Sequence, residues 1–173
     1  MQQLFKTLLI SISLLLSSCA PSNILPSENI RMFKRSVPIY KTGQTVRIHN
    51  SYKKPMPVKV VTQSTSDTIE TDLQKYTQSV VKLMEQGLEK RDVYSTSDSN
   101  KVIKIKVHDI IYDSSKTGWT SGLRITAELN SGKSISIEKK FTGFGLLFAV
   151  NKSVEKATAV LLKHPEFVAY INQ

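Results

Sequence analysis

Residues 101–141 read KVIKIKVHDIIYDSSKTGWTSGLRITAELNSGKSISIEKKF, and their alternation decides the fold. In 101–113, Ile103, Ile105, Val107 and Ile111 fall on one face, while Lys104, Lys106, His108 and Tyr112 fall on the other. Asp109 interrupts the apolar side. A period of two is that of a strand buried on one side only. Residues 114–120 break the pattern with a loop carrying Gly118 and Trp119. In 122–129 it resumes, with Leu123, Ile125, Ala127 and Leu129 against Arg124, Thr126 and Glu128. Asn130-Ser131-Gly132-Lys133 is a turn sequence, and 134–141 completes a hairpin with Ile135, Ile137 and Phe141 inward. Three such strands in succession make an antiparallel meander whose apolar face demands a cover.

Two helices are available to cover it. Ile69, Leu73, Tyr76, Val80, Leu83 and Gly87 recur at alternating spacings of four and three, the stripe of an amphipathic helix. Ser66 or Asp67 reads as its N-cap, with Glu70 in the first turn, and it should end near residues 90–92. A second helix should open at Asn151 or Ser153, carry Val150, Val154, Ala157 and Leu161 at helical spacing, and stop at Pro165. Phe167, Val168 and Ile171 should fold a last short turn back onto the domain. Upstream, QTVRIHN at 44–50 alternates as a strand. VKVVT at 58–62 is a second, placed at an edge because Pro55 and Pro57 cannot donate to a ladder. The expected class is α+β: a mostly antiparallel sheet of four to five strands with two helices packed on one face.

The N-terminus reads as an address. Lys6 is the only charge before residue 28, and 7–16 is an apolar run of about ten residues. That run is too short to span a bilayer, which needs roughly 20 residues. It is followed by Leu16-Ser17-Ser18-Cys19, which resembles the lipobox of bacterial lipoproteins. The resemblance implies cleavage before Cys19 and acylation of its thiol and new amino group. Ala20, not aspartate, follows the cysteine, which by the rule for such proteins implies export to the outer membrane, with the domain facing the periplasm. The division is therefore a signal peptide at 1–18, a lipidated N-terminus and flexible tether at 19–39, and one domain at 40–173. The tether is read from Pro21, Pro26 and Pro38 with polar residues between them. Cys19 is the only cysteine, so no disulfide is available and packing alone must hold the core.

The net charge of +10 is uneven. Residues 28–61 hold eight basic residues against Glu28 alone, whereas 62–173 hold fifteen basic and thirteen acidic. The excess lies beside the anchor, where anionic head groups attract it. An anchored, exported protein has little access to nucleic acid, so that reading is set aside. No G-x-S-x-G, H-E-x-x-H, P-loop or G-x-G-x-x-G is present. Gly143-Phe144-Gly145 lacks a third glycine, and His49, His108 and His164 stand apart in sequence. No catalytic residue, metal site or cofactor is expected, and the chain does not read as an enzyme.

Two stretches are candidates for interaction. One is the loop around Phe144, Leu146, Leu147 and Phe148, apolar enough for a partner or a lipid tail if exposed. The other is a basic sheet face with Lys104, Lys106, Arg124, Lys139 and Lys140, fit for an acidic partner or anionic lipid head groups. With the lipobox, the helix at 72–90, the LNSGKSISIEKKF hairpin and the VNKSVEKATAVLL helix taken together, the chain resembles the YajG-type lipoproteins of the bacterial outer membrane. That resemblance covers 67–171 in the order and spacing of elements and supplies no catalytic residues. The expected function is that of a non-enzymatic envelope lipoprotein that binds or assembles with other envelope components. A carrier for a lipid or other apolar ligand is the alternative. The sequence sets no oligomeric state.

Overall fold

The computed structural model describes residues 23–62 and 64–173. The elements are β1 (Gln44–Asn50), β2 (Pro57–Val61), β3 (Thr68–Asp72), α1 (Leu73–Glu89), β4 (Val93–Ser95), β5 (Val102–Ser115), β6 (Gly118–Leu129), β7 (Ser134–Gly143), α2 (Leu146–Lys163) and α3 (Pro165–Ile171). Five strands form one sheet in the order β4-β1-β5-β6-β7, and β2 and β3 form a separate antiparallel ribbon. The fold is α+β, with the helices on one face of the sheet.

The meander β5-β6-β7 is antiparallel throughout. The rest of the sheet is mixed, because β1 runs parallel to both its neighbours. Its first half pairs with β4, Gln44 opposite Val93, and its second half with β5, Arg47 opposite Val102. Between these strands the chain crosses from one side of β1 to the other. Thr96 N–H donates to the Val46 carbonyl, and Arg47 N–H donates to that of Lys101, both at 2.8 Å. The parallel sense follows from α1, which carries the chain back to the end where β1 began.

The first helix begins later than the sequence suggests. Residues 68–72, TIETD, are strand β3, and Asp72 is the N-cap in place of Ser66 or Asp67. The Asp72 carboxylate accepts from the N–H of Gln74 at 2.8 Å and of Lys75 at 3.3 Å, and also from Met56 N–H on the ribbon. One side chain thus caps the helix and holds β2 against it. The second helix begins earlier, at Leu146, with extended Gly145 as its N-cap. The loop expected around Phe144, Leu146, Leu147 and Phe148 is therefore a two-residue link after β7 and the first turn of α2.

A bulge in β5 moves a face. The register shifts between Val107 and Asp109, leaving His108 without a partner on β6. Past that point Ile110 and Tyr112 are buried, and Ile111 is not. The extra residue inverts the alternation, which is why Tyr112, read as outward, is in the core.

The described part of the expected tether, 23–39, is the largest departure. From Asn23 the chain is a strap packed on the domain. Ile24 N–H donates to the Glu70 carbonyl, Ser27 N–H to Asn151 Oδ1, and Lys41 N–H to Asn172 Oδ1. Met32 and Val37 are buried in the seam between α1 and α2. Gly87 makes room for them: a Cβ there would stand 3.0–3.1 Å from Leu162, Met32 and Val37. Lys90 donates to the Met32 carbonyl, and Arg91 to those of Lys34 and Val37. Three prolines suggest a spacer, yet the apolar residues between them bury as core does.

Asp72→Ala should lower stability by about 0.5–2 kcal/mol, seen as a lower urea midpoint, because two helix N–H groups lose their acceptor. Asp72→Asn should retain most of it. The fold should also weaken in alkali. Burial raises the pKa of Tyr40, Tyr76 and Tyr112, with Coulomb repulsion between the two phenols adding to the shift at Tyr76. In the unfolded chain these phenols ionise near pH 10. Above that pH the unfolded chain holds fewer protons than the folded one, so stability is full below pH about 10 and falls as pH rises beyond it. Urea midpoints at pH 8 and 11 should show the drop, and Tyr40→Phe should make it shallower.

Candidate interaction surfaces

The outer face of the sheet carries most of the basic residues expected there. Lys104 and Arg124 are exposed on β5 and β6, and Lys140 is exposed on β7. Lys140 lies over Gly122, where a Cβ would stand 2.7 Å from its Cγ. Lys139 does not belong with them. It pairs with inward-facing Leu123, so on the edge strand β7 it points to the helix side.

These charges are partly neutralised. Arg124 pairs with Asp109, and Lys140 Nζ lies 3.7 Å from Glu138. Lys106 Nζ stands 5.6 Å from the centre of the Tyr52 ring. The expected basic face is thus a mixed polar one.

The bulge also changes the place of His108 and Asp109. Both are exposed and line one shallow hollow with Arg124, Thr126 and Ser136. Ordinary strand alternation, which would put them on opposite faces, does not apply there. Asp109 is engaged by Arg124. Asp113, further along β5, accepts from the Ser64 hydroxyl at 2.7 Å and from Ser114 N–H at 2.9 Å. These bonds, the Ser64 hydroxyl foremost, hold its carboxyl below the usual range. Among the described residues, no three His, Cys, Asp or Glu side chains gather as a metal site would need.

The apolar loop residues are divided by the first turn of α2. Leu146 is half-buried against the core, whereas Phe144 is 98 % exposed, Leu147 52 % and Phe148 50 %. Phe148 meets Phe141 edge to face, with ring centres 5.9 Å apart. Phe33 of the strap, which the sequence does not single out, lines the same hollow as Phe148.

Between helices and sheet the space is filled. Tyr76, Tyr112, Leu83, Met84 and Phe167 are all fully buried there. A groove of about 350 Å³ lies elsewhere, between the strap at Leu25–Ile30 and the outer side of α1 at Gln74–Leu83. Cys19 lies outside the described residues. Among the described residues, no helix is long and apolar enough to cross a membrane.

No protein-family model matches the chain, and no curated protein matches it. Among solved structures, the crystal structure of protein XCC0632 from Xanthomonas campestris, described as DUF330, is similar in shape. The alignment covers 88 % of this chain and 95 % of that one, at 10 % sequence identity and a TM-score of 0.49. At that distance the likeness says nothing of partner or activity.

The Arg124–Asp109 pair is half-exposed on both sides, 53 % and 51 %. Such pairs contribute about 0–1 kcal/mol. Arg124→Ala should therefore leave the urea midpoint nearly unchanged, and a large loss would show that the outer face carries structural load.

Proposed function

We propose that the chain is a lipid-anchored protein of the bacterial outer membrane, and that it serves as a non-enzymatic accessory component binding other parts of the cell envelope. The observation that carries this reading is Leu16-Ser17-Ser18-Cys19 at the end of a short apolar run with one preceding charge. Acyl chains contribute about 0.8 kcal/mol per buried CH2, and more than one chain is needed for a stable hold. The resemblance of the sequence to the YajG-type lipoproteins in the order and spacing of its elements supports the same reading.

The surface supports a binding role rather than a catalytic one. The helices cover one face of the sheet, and its other face is polar and open, with charges of both signs at Arg124, Asp109, Lys140 and Glu138. Such a face suits a docked partner with complementary charge. A carrier between helices and sheet is less well supported, because fully buried side chains occupy that space.

Cys19→Ser should abolish incorporation of labelled palmitate and leave the precursor uncleaved. Normal labelling or unchanged processing in that variant would overturn the anchor. The accessory role is tested by crosslinking in intact cells followed by purification. Recovery of the same envelope protein in repeated trials supports the role, and repeated recovery of none overturns it.

A further inference from the structure

One end of the molecule carries an exposed apolar tip. Here Trp119 at the start of β6 pairs with Gly143 at the end of β7, and α2 begins three residues later. Phe144, Leu147 and Phe148 project from this corner. Gly143 is required beneath Phe148, since a Cβ there would stand 2.6 Å from its Cδ1. The apolar surface continues onto the strap through Phe33, which is 48 % exposed. Single exposed apolar residues are ordinary, but a contiguous group of this size is not.

The tip is ringed by cations. Lys156 Nζ lies 4.4 Å from the centre of the Phe141 ring. Lys152 and Arg35 lie 5.8 and 5.6 Å from that of Phe33. Arg31 and Lys34 are exposed beside it. Glu155 also lines the hollow, where it is engaged by Lys152 at 2.6 Å. Exposed aromatic and aliphatic side chains within a basic rim match the boundary between acyl chains and anionic head groups.

The strap passes this end at Ser27. Asn23 bridges to Glu70, and four residues later Ser27 donates to Asn151 on α2 and lines the hollow with Phe33 and Phe148. Cys19 precedes Asn23 by four residues, which span at most about 14 Å. With Cys19 acylated, a premise taken from the proposed function, the domain has no long spacer and its strap end lies next to the lipid. We infer that Phe144, Leu147, Phe148 and Phe33 dock onto the leaflet that holds the anchor, with Lys152, Lys156, Arg31 and Arg35 on its anionic head groups.

Trp119 is the only tryptophan and sits beside the tip, so it reports on docking. The lipidated protein would be reconstituted into phosphatidylcholine vesicles with roughly 30 % phosphatidylglycerol, with and without brominated acyl chains. Brominated lipid should quench Trp119 at least about twofold more in the wild type than in the Phe144→Asp/Leu147→Asp variant, although both remain vesicle-bound through the anchor. Both substituted side chains are exposed, and circular dichroism would check that the fold is kept. Omitting phosphatidylglycerol should lower the wild-type quenching. Absence of quenching in acylated wild-type protein overturns the docking, as does equal quenching in the folded variant. Concentration-dependent crosslinking between copies through position 144, without quenching, would assign the tip to self-association instead. Acylation of Cys19 is measured on the same samples by mass. Failure of the anchor is thereby separated from failure of the tip, and quenching without acylation would still uphold docking.

Discussion

Four stretches of chain converge on one buried pair of hydroxyls. Tyr76 on α1 and Tyr112 on β5 stand 2.5 Å apart, oxygen to oxygen. Tyr112 also reaches Thr71 Oγ1 on β3 and the Ile24 carbonyl on the strap, each at 3.4 Å, and Thr71 donates to that carbonyl at 2.7 Å. A buried hydroxyl left without a partner costs about 1–3 kcal/mol, so each element holds the others to one arrangement. An apolar core would accept several relative shifts of helix and sheet. This small polar cluster accepts one.

The bulge at His108 is what makes that cluster reachable. Without the extra residue, Tyr112 would stay on the lysine face, where the alternation from Ile103 assigns it. One unpaired residue thus moves a phenol from solvent to core and sets His108 and Asp109 side by side on the outer face. It also explains a limit of pattern reading. A period of two can be followed only while the register holds, and nothing in KVHDII states where it slips.

Much of the frame was legible for plain reasons. The meander strands are long, and the stripes of α1 and α2 repeat over several turns, so their periodicity outweighs local noise. The parallel placement of β1 and β4 was not, since three residues, Val93–Ser95, carry no period. The helix start was misplaced because Ser66, Asp67 and Asp72 are all acceptable caps, and the ribbon pairing of 68–72 decides between them. Of the interaction residues, Phe144, Leu147 and Phe148 were visible as an apolar run. Their exposure depends on where α2 begins, which the run itself does not say. Lys139 is where the expectation departs from the pattern itself, since the alternation of Ile135, Ile137 and Phe141 already places it on the inward side. Phe33 was hidden because its surroundings read as spacer.

The strap inverts the order of the chain. It is the first described stretch, yet four of the groups that receive it come 54 to 131 residues later, at Gln86, Asn151, Leu162 and Asn172. Closing loops of that length costs entropy that only a formed helix pair can repay. The strap therefore holds its place only while the helix pair holds its own. Its docking thus depends on α1, α2 and the C-terminal Asn172 together.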